Sequence, residues 1–213
     1  MTNNFISFEG IEGSGKTTQT EIFNQNYKNI KTTREIGGTR VGEEIRKIIL
    51  NNKISEECRD TLIFTARLEH LRKKIKPNLE KNKTVICDRY IDSTFVYKET
   101  LTISIYQAND NFMRKHKILG KITPDLTILF DIDPEIALQR IKERKEKENI
   151  QYKNQLKEKN LQYYHKLRER YLICKELHPS RIKKIKIREE TTKEEVHNKI
   201  LKYMEQYSVN LKK

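Results

Sequence analysis

Five short runs of apolar character, separated by longer stretches of helical period, set the pattern of the chain. Phe5-Ile6-Ser7-Phe8, Ile30-Lys31-Thr32-Thr33, Thr84-Val85-Ile86-Cys87, Leu126-Thr127-Ile128-Leu129-Phe130 and the run Ile182 to Ile187 predict strands of four to six residues. Between and around them, Gly15 to Tyr27, Val41 to Leu50, Ser55 to Lys81, Ile91 to Tyr106, Ala108 to Leu119, Pro134 to Glu146, Lys157 to Leu177 and Thr192 to Tyr207 predict helices. The last has Thr191-Thr192 as an N-cap signal with Glu194 and Glu195 in its first turn. Strand and helix alternating about five times predicts an α/β domain: a doubly wound, five-stranded parallel sheet with helices on both faces. A length of 213 residues without an internal repeat predicts one domain over 1–213. Lys142 to Lys159 is nearly free of apolar residues and alternates in charge sign, the pattern of either an ordered helix pair or a mobile basic lid over roughly 142–159. The lid is the reading carried forward.

Charge narrows the choice less than it first promises. Lys and Arg number 44 against 30 Asp and Glu, a formal net charge of +14. Such a surplus suits nucleic acid, an anionic membrane surface or a small polyanion such as a nucleotide. Much of it is lysine spread over segments of helical period, which reads as solvated faces rather than a nucleic-acid groove. There is no run of about 18 apolar residues, and Met1 to Phe8 carries neither a basic n-region nor a long apolar h-region. A membrane partner and secretion are therefore not expected. Three widely spaced cysteines, Cys58, Cys87 and Cys174, make no C-x-x-C pair, and the five histidines are scattered. Both facts fit reduced thiols in a cytoplasmic protein without a structural metal site.

The first strand runs into Gly10-Ile11-Glu12-Gly13-Ser14-Gly15-Lys16-Thr17, which matches G-x-x-x-x-G-K-[ST] at every fixed position, and a helical segment follows. Glycines let successive backbone N–H groups face one anion, and the following helix adds its positive end. Gly10, Gly13, Ser14, Gly15, Lys16, Thr17 and Thr18 are the candidate cradle for ATP. Lys16 would neutralise the β- and γ-phosphates, and Thr17 would ligate Mg²⁺. Motors, GTPases, helicases and small-molecule kinases share this loop. No N-K-x-D base reader is present, and the strand Val85-Ile86-Cys87 ends in Asp88-Arg89-Tyr90 rather than an acidic pair. Asp88 would orient Mg²⁺, while Arg89 would fork onto a second, acceptor phosphate at the carboxyl edge of the sheet.

With both motifs in hand, the chain resembles the thymidylate kinases of the nucleoside monophosphate kinase group over nearly its whole length. The resemblance rests on Phe8 to Gln19, on Thr33-Arg34-Glu35-Ile36-Gly37-Gly38-Thr39, on Leu62 to His70, on Val85 to Tyr97, and on Pro124 to Pro134 with Arg140 after it. It implies ATP- and Mg²⁺-dependent phosphorylation of dTMP to dTDP by a homodimer. By that resemblance Glu12 would hold the 3′-hydroxyl of dTMP, and Arg89, helped by Arg34, its phosphate. Arg67 would face thymine or phosphate, Thr94 would read the base, Phe64 would stack on it, and Tyr97 would pack where a ribose 2′-hydroxyl would clash. Arg140 would lie along adenine. The chain departs from the family at Ile36, in place of proline, at Lys98-Glu99, in place of Gln-Gly, and at Ile63, which occupies the family phenylalanine's position one residue before Phe64. Members whose phosphate loop lacks arginine, as here at Gly13, supply one from a lid motif D-R-[IF]-E. The best match here, Asn154-Gln155-Leu156-Lys157, has none.

Phosphoryl transfer between two polyanions needs cations along the path and exclusion of water. Lys16 and Arg89 fix the two ends, and Arg144 is the expected lid cation and third catalytic group, with Lys145, Lys147 and Lys153 behind it. Two rival functions stay open on the sequence: a kinase for another small acceptor, and a P-loop ATPase that binds nucleic acid.

Overall fold

The computed structural model describes residues 4–98, 123–148, 160–209 and 211. Five strands, β1 (Phe5–Glu9), β2 (Ile30–Arg34), β3 (Thr84–Asp88), β4 (Leu126–Ile132) and β5 (Ile182–Ile187), form one sheet in the order β2-β3-β1-β4-β5. Every pairing is parallel. β1 and β4 are buried at every position, as strands covered on both faces must be. The helices are α1 (Lys16–Asn26), α2 (Arg40–Asn51), α3 (Glu56–His70), α4 (Lys76–Glu80), α5 (Ile91–Val96), α6 (Pro134–Glu148), α7 (Leu161–Leu177) and α8 (Lys193–Gln206). A π-helical turn, Leu71–Ile75, joins α3 to α4, so the predicted helix from Ser55 to Lys81 is a single run with one widened turn.

Side-chain caps mark four of the helix starts. Thr39, Ser55 and Asn160 accept from the N–H groups of Gly42, Cys58 and Tyr163, and Thr192 and Glu195 form a reciprocal capping box at the end read as capped from sequence. The larger core cluster holds Ile6, Phe8, Ile86 and Ile128 of the sheet together with Phe23 of α1, Leu167 and Tyr171 of α7, and Ile200 and Met204 of α8. A smaller cluster of Phe5, Val85, Cys87 and Tyr90 lies against Leu71 and Ile75.

The five strands are those predicted, to within two residues. The basic stretch from Lys142 begins as an ordinary continuation of α6 through Glu148; the rest of the proposed lid, 149–159, lies outside the described residues. So do the predicted helix Ala108 to Leu119 and the part of the preceding one from residue 99.

Candidate active site

The register of β1 against β3 builds the site. Phe8 pairs with Asp88, and the Arg89 N–H donates to the Phe8 carbonyl at 2.9 Å, so the phosphate loop and Asp88-Arg89 leave the sheet side by side. The loop turns on glycines with positive φ. At Gly13 (φ 81°) a Cβ would stand 2.6 Å from the Ala137 carbonyl oxygen of α6, so the arginine of other phosphate loops has no room there. Lys16 is buried and folds back on the loop, donating to the carbonyls of Gly10 (3.0 Å) and Ile11 (2.8 Å) and to the Ser14 hydroxyl (3.0 Å). Burial first, and then the Arg89 charge, lower its pKa to about 7.

Thr17 donates to Asp88 Oδ2 at 2.9 Å, which joins the two groups expected to hold Mg²⁺. The other Asp88 oxygen is buried and has no hydrogen-bond partner among the described residues. An orphaned carboxylate oxygen beside a hydroxyl fits a hard cation that takes oxygen ligands and keeps much of its water and phosphate shell. Among the described residues no group of three or more His, Cys, Asp or Glu gathers elsewhere.

Arg89, expected at the acceptor phosphate, sits in a hydroxyl cradle. This residue, at φ 67°, donates from Nη1 to the hydroxyls of Tyr171 (2.9 Å) and Ser93 (3.2 Å), and its guanidinium carbon lies 5.1 Å from the Tyr97 ring centre. The two hydroxyls bond each other at 2.8 Å and rest on Glu9, which accepts from Ser93 Oγ (2.5 Å), Tyr171 (3.3 Å) and the Tyr90 N–H (2.7 Å). Burial, and next the Asp92 charge, push the Glu9 carboxyl up to about 7 against these bonds and Arg89. Burial opposes the Arg89 charge, but Tyr97, Tyr171, Asp88 and Glu9 outweigh it and its pKa rises. Asp92 in turn holds Arg181 bidentately at 2.8 and 2.7 Å, pinning α5 to the start of β5.

Arg67, expected at the base or the phosphate, is 5% exposed on α3. Its Nε donates to Glu35 Oε2 (2.8 Å) and its Nη2 to Thr94 Oγ1 (2.7 Å), which brings Arg67 and Thr94 together. Phe64, half-buried, sits one turn before Arg67 and one turn after Asp60 on the same helix face. Lys98 donates to Asp60 at 2.6 Å, so the departure at Lys98 ties the end of α5 to α3.

Arg34 is 55% exposed and makes a two-pronged contact with Glu43 of α2 (3.2 and 2.8 Å) rather than joining Arg89. Arg140 donates to the Arg188 and Glu189 carbonyls at 3.3 and 3.5 Å, linking α6 to the segment after β5. Arg144 bonds Glu12 at 2.8 Å, which brings the expected lid cation onto the carboxylate expected to hold the sugar. Glu9, Glu35, His70, Ser93 and Tyr171 were not singled out from the sequence. The signal at Glu9 was a carboxylate ending an apolar strand beside the phosphate loop, and at Glu35 a second charge next to Arg34.

A phosphate loop, a Thr–Asp pair suited to Mg²⁺ and an arginine seated beside them at the carboxyl edge of the sheet fit a P-loop kinase acting on small phosphorylated acceptors, the class read from the sequence. The Thymidylate kinase family model matches residues 8–200. The thymidylate kinase of Orientia tsutsugamushi (strain Ikeda) is 38% identical over 202 residues, 92% of this chain and 90% of the relative. That of Wolbachia pipientis wMel is 38% identical over 153 residues, 68% of this chain and 76% of the relative. The crystal structure of thymidylate kinase from Ehrlichia chaffeensis superposes with a TM-score of 0.69 at 28% identity, covering 96% of this chain and all of that one. The chain belongs to the thymidylate kinase family, kinases that convert dTMP to dTDP with ATP and Mg²⁺.

Proposed function

We propose that this site transfers the γ-phosphoryl group of ATP to dTMP, with Lys16, Arg89 and Arg144 as its catalytic cations. Family membership supports the reaction, and the β1–β3 register, which seats Arg89 beside the phosphate loop, carries the assignment of roles. The backbone of Gly10 to Thr18 cradles the donor phosphates, and Lys16 exchanges its loop carbonyls for them. Thr17 and Asp88 hold Mg²⁺, which when bound neutralises charge on the donor phosphates. Arg89, its Nη1 fixed by Ser93 and Tyr171, turns its remaining donors to the acceptor phosphate. Arg67 and Thr94 read the base, Phe64 stacks on it, and Tyr97 covers the sugar. Glu12 takes the 3′-hydroxyl once Arg144 leaves it, and Arg144 then serves the moving phosphoryl from 142–159. Arg140 lies along adenine, and Arg34 reaches the dTMP phosphate when it leaves Glu43.

The single domain works as a cytoplasmic homodimer in this reading. Val41 and Ile48, two turns apart on α2, are exposed on one side of it and supply an apolar strip that a second copy would cover. Cys58, Cys87 and Cys174 are free thiols, and among the described residues no helix is long and apolar enough to cross a membrane.

A coupled ADP-release assay with dTMP, dUMP, dCMP, AMP and GMP tests the assignment. Stimulation by dTMP above all others is expected. A rate with dTMP no higher than without acceptor would overturn it, and stimulation by DNA or RNA that collapses with salt would favour a nucleic-acid ATPase.

A further inference from the structure

We propose that Glu35 and His70 are positioning residues that set base selectivity by locking the orientation of Arg67; this rests on Arg67 being a contact to the base. A continuous buried relay runs from β2 through α3 to α5. Thr33 Oγ1 lies 2.6 Å from His70 Nε2, His70 Nδ1 lies 2.9 Å from Glu35 Oε1, Glu35 Oε2 accepts from Arg67 Nε at 2.8 Å, and Arg67 Nη2 reaches Thr94 at 2.7 Å. Its protons are consistent when Thr33 donates to Nε2 and His70 carries its own proton on Nδ1, giving the Glu35 carboxylate one donor on each oxygen. His70 is fully buried, and Glu35 and Arg67 nearly so.

Two features say that orientation is what the relay controls. Arg67 Nη1 makes no hydrogen bond among the described residues although the side chain is buried. That nitrogen is left over for an acceptor from outside, and the 4-carbonyl of a thymine or uracil ring supplies one where the 4-amino group of cytosine presents a donor. The second feature is enclosure. The Arg67 guanidinium carbon lies 4.9 Å from the Tyr90 ring centre, and the turn at Gly38 presses on the far end of the relay. A Cβ at Gly38 (φ +75°) would fall 2.6 Å from Thr33 Oγ1 and 2.7 Å from His70 Nε2. With Nε gripped by Glu35, and Glu35 gripped by His70, the fork cannot turn to suit a ring of the wrong polarity. A buried ion pair adds little net stability over apolar packing, so its use lies in the geometry it fixes.

Steady-state kinetics of Glu35→Gln, His70→Phe, His70→Asn and Arg67→Lys with dTMP and dCMP, beside thermal melts, test the proposal. Each charge-assisted bond lost is worth roughly 10- to 100-fold. Glu35→Gln is therefore expected to raise KM for dTMP by that factor with a smaller change in kcat, and to narrow the preference for dTMP over dCMP about tenfold. His70→Phe is expected to move both in the same direction, and His70→Asn, which keeps an N–H donor near Glu35, to restore them in part. Wild-type KM and preference in folded Glu35→Gln and His70→Phe proteins with lowered melting temperatures would overturn the proposal. Arg67→Lys separates the two levels. If it leaves KM and the preference unchanged, Arg67 does not read the base; if it relaxes them while Glu35→Gln does not, the relay alone is refuted. Should Glu35→Gln fail to fold, Thr33→Val, which removes only the last hydroxyl, carries the same expectation at roughly threefold.

Discussion

Replacing Lys16 by methionine should make the free protein more stable while abolishing its activity. Burial and the neighbouring Arg89 bring this ammonium from an ordinary 10.5 down to about 7, which corresponds to about 5 kcal/mol against the charged form in the folded chain. Methionine keeps most of the stem and removes the charge, but it leaves two carbonyls and the Ser14 hydroxyl to find water. Taking about half the figure as realised gives ~2 kcal/mol, or about 4–8 °C in Tm for a chain of this size. The pH dependence fixes the cause. Below about pH 7 both folded and unfolded chains hold the proton and the penalty is whole. As pH rises from about 7 towards 10.5 the unfolded chain alone keeps it, so the folded wild type gains stability and the variant's advantage shrinks. Differential scanning calorimetry of both proteins at pH 6.5 to 9 checks this, with added ATP and Mg²⁺ expected to raise the wild-type Tm only. A variant that melts below wild type, or an advantage constant across that range, would refute the reasoning.

Tyr171→Phe removes the hydroxyl that bridges Arg89, Ser93 and Glu9, and should lower kcat about tenfold while leaving the KM for ATP unchanged in the ADP-release assay. Asp92→Asn breaks a buried bidentate pair and leaves Arg181 uncompensated, for a loss of about 3–5 kcal/mol measured as a fall in the unliganded denaturation midpoint. Arg144→Ala gives up an ion pair exposed at 46% and 43%, costing under about 1 kcal/mol, but should lower kcat by at least about tenfold. An unchanged kcat would move the lid role to Lys145, Lys147 or Lys153.

Pattern and motif made the frame legible because each signal was local. The sheet followed from five short apolar runs, and the donor end from one contiguous loop whose glycines and Lys16 need no distant partner to be recognised. Asp88 and Arg89 were readable for the same reason, since both end one strand. Long-range pairings were not legible. That Glu9 underlies Arg89 depends on α7 carrying Tyr171 across the sheet, 162 residues from Glu9. That Arg67 is gripped by Glu35 depends on where the loop after β2 meets α3. Arg34 shows the converse: a motif gave its type, but only the fold shows it drawn off to Glu43, a residue four positions into α2.

In the proposed reaction the carboxylates of the site stand at distances that match the charge of what each cation would receive. Arg67, proposed to meet an uncharged base, is bonded directly to Glu35. Arg89, proposed to meet a dianionic phosphate, bonds hydroxyls of Ser93 and Tyr171, and Glu9 stands one hydrogen bond further back. Direct contact there would cancel the charge the substrate needs, whereas hydroxyls orient the guanidinium and leave its field intact. Lys16 makes no ion pair among the described residues; two carbonyls and a hydroxyl hold it, and burial lowers its pKa to about 7. Arg34 and Arg144 hold carboxylates directly, but at exposed positions where water and salt make exchange cheap. In the proposed reaction Arg67 and the half-buried Arg89 are thus oriented in advance by their partners, while the exposed Arg34 and Arg144 are free to trade theirs, a division of labour suited to transfer between two polyanions.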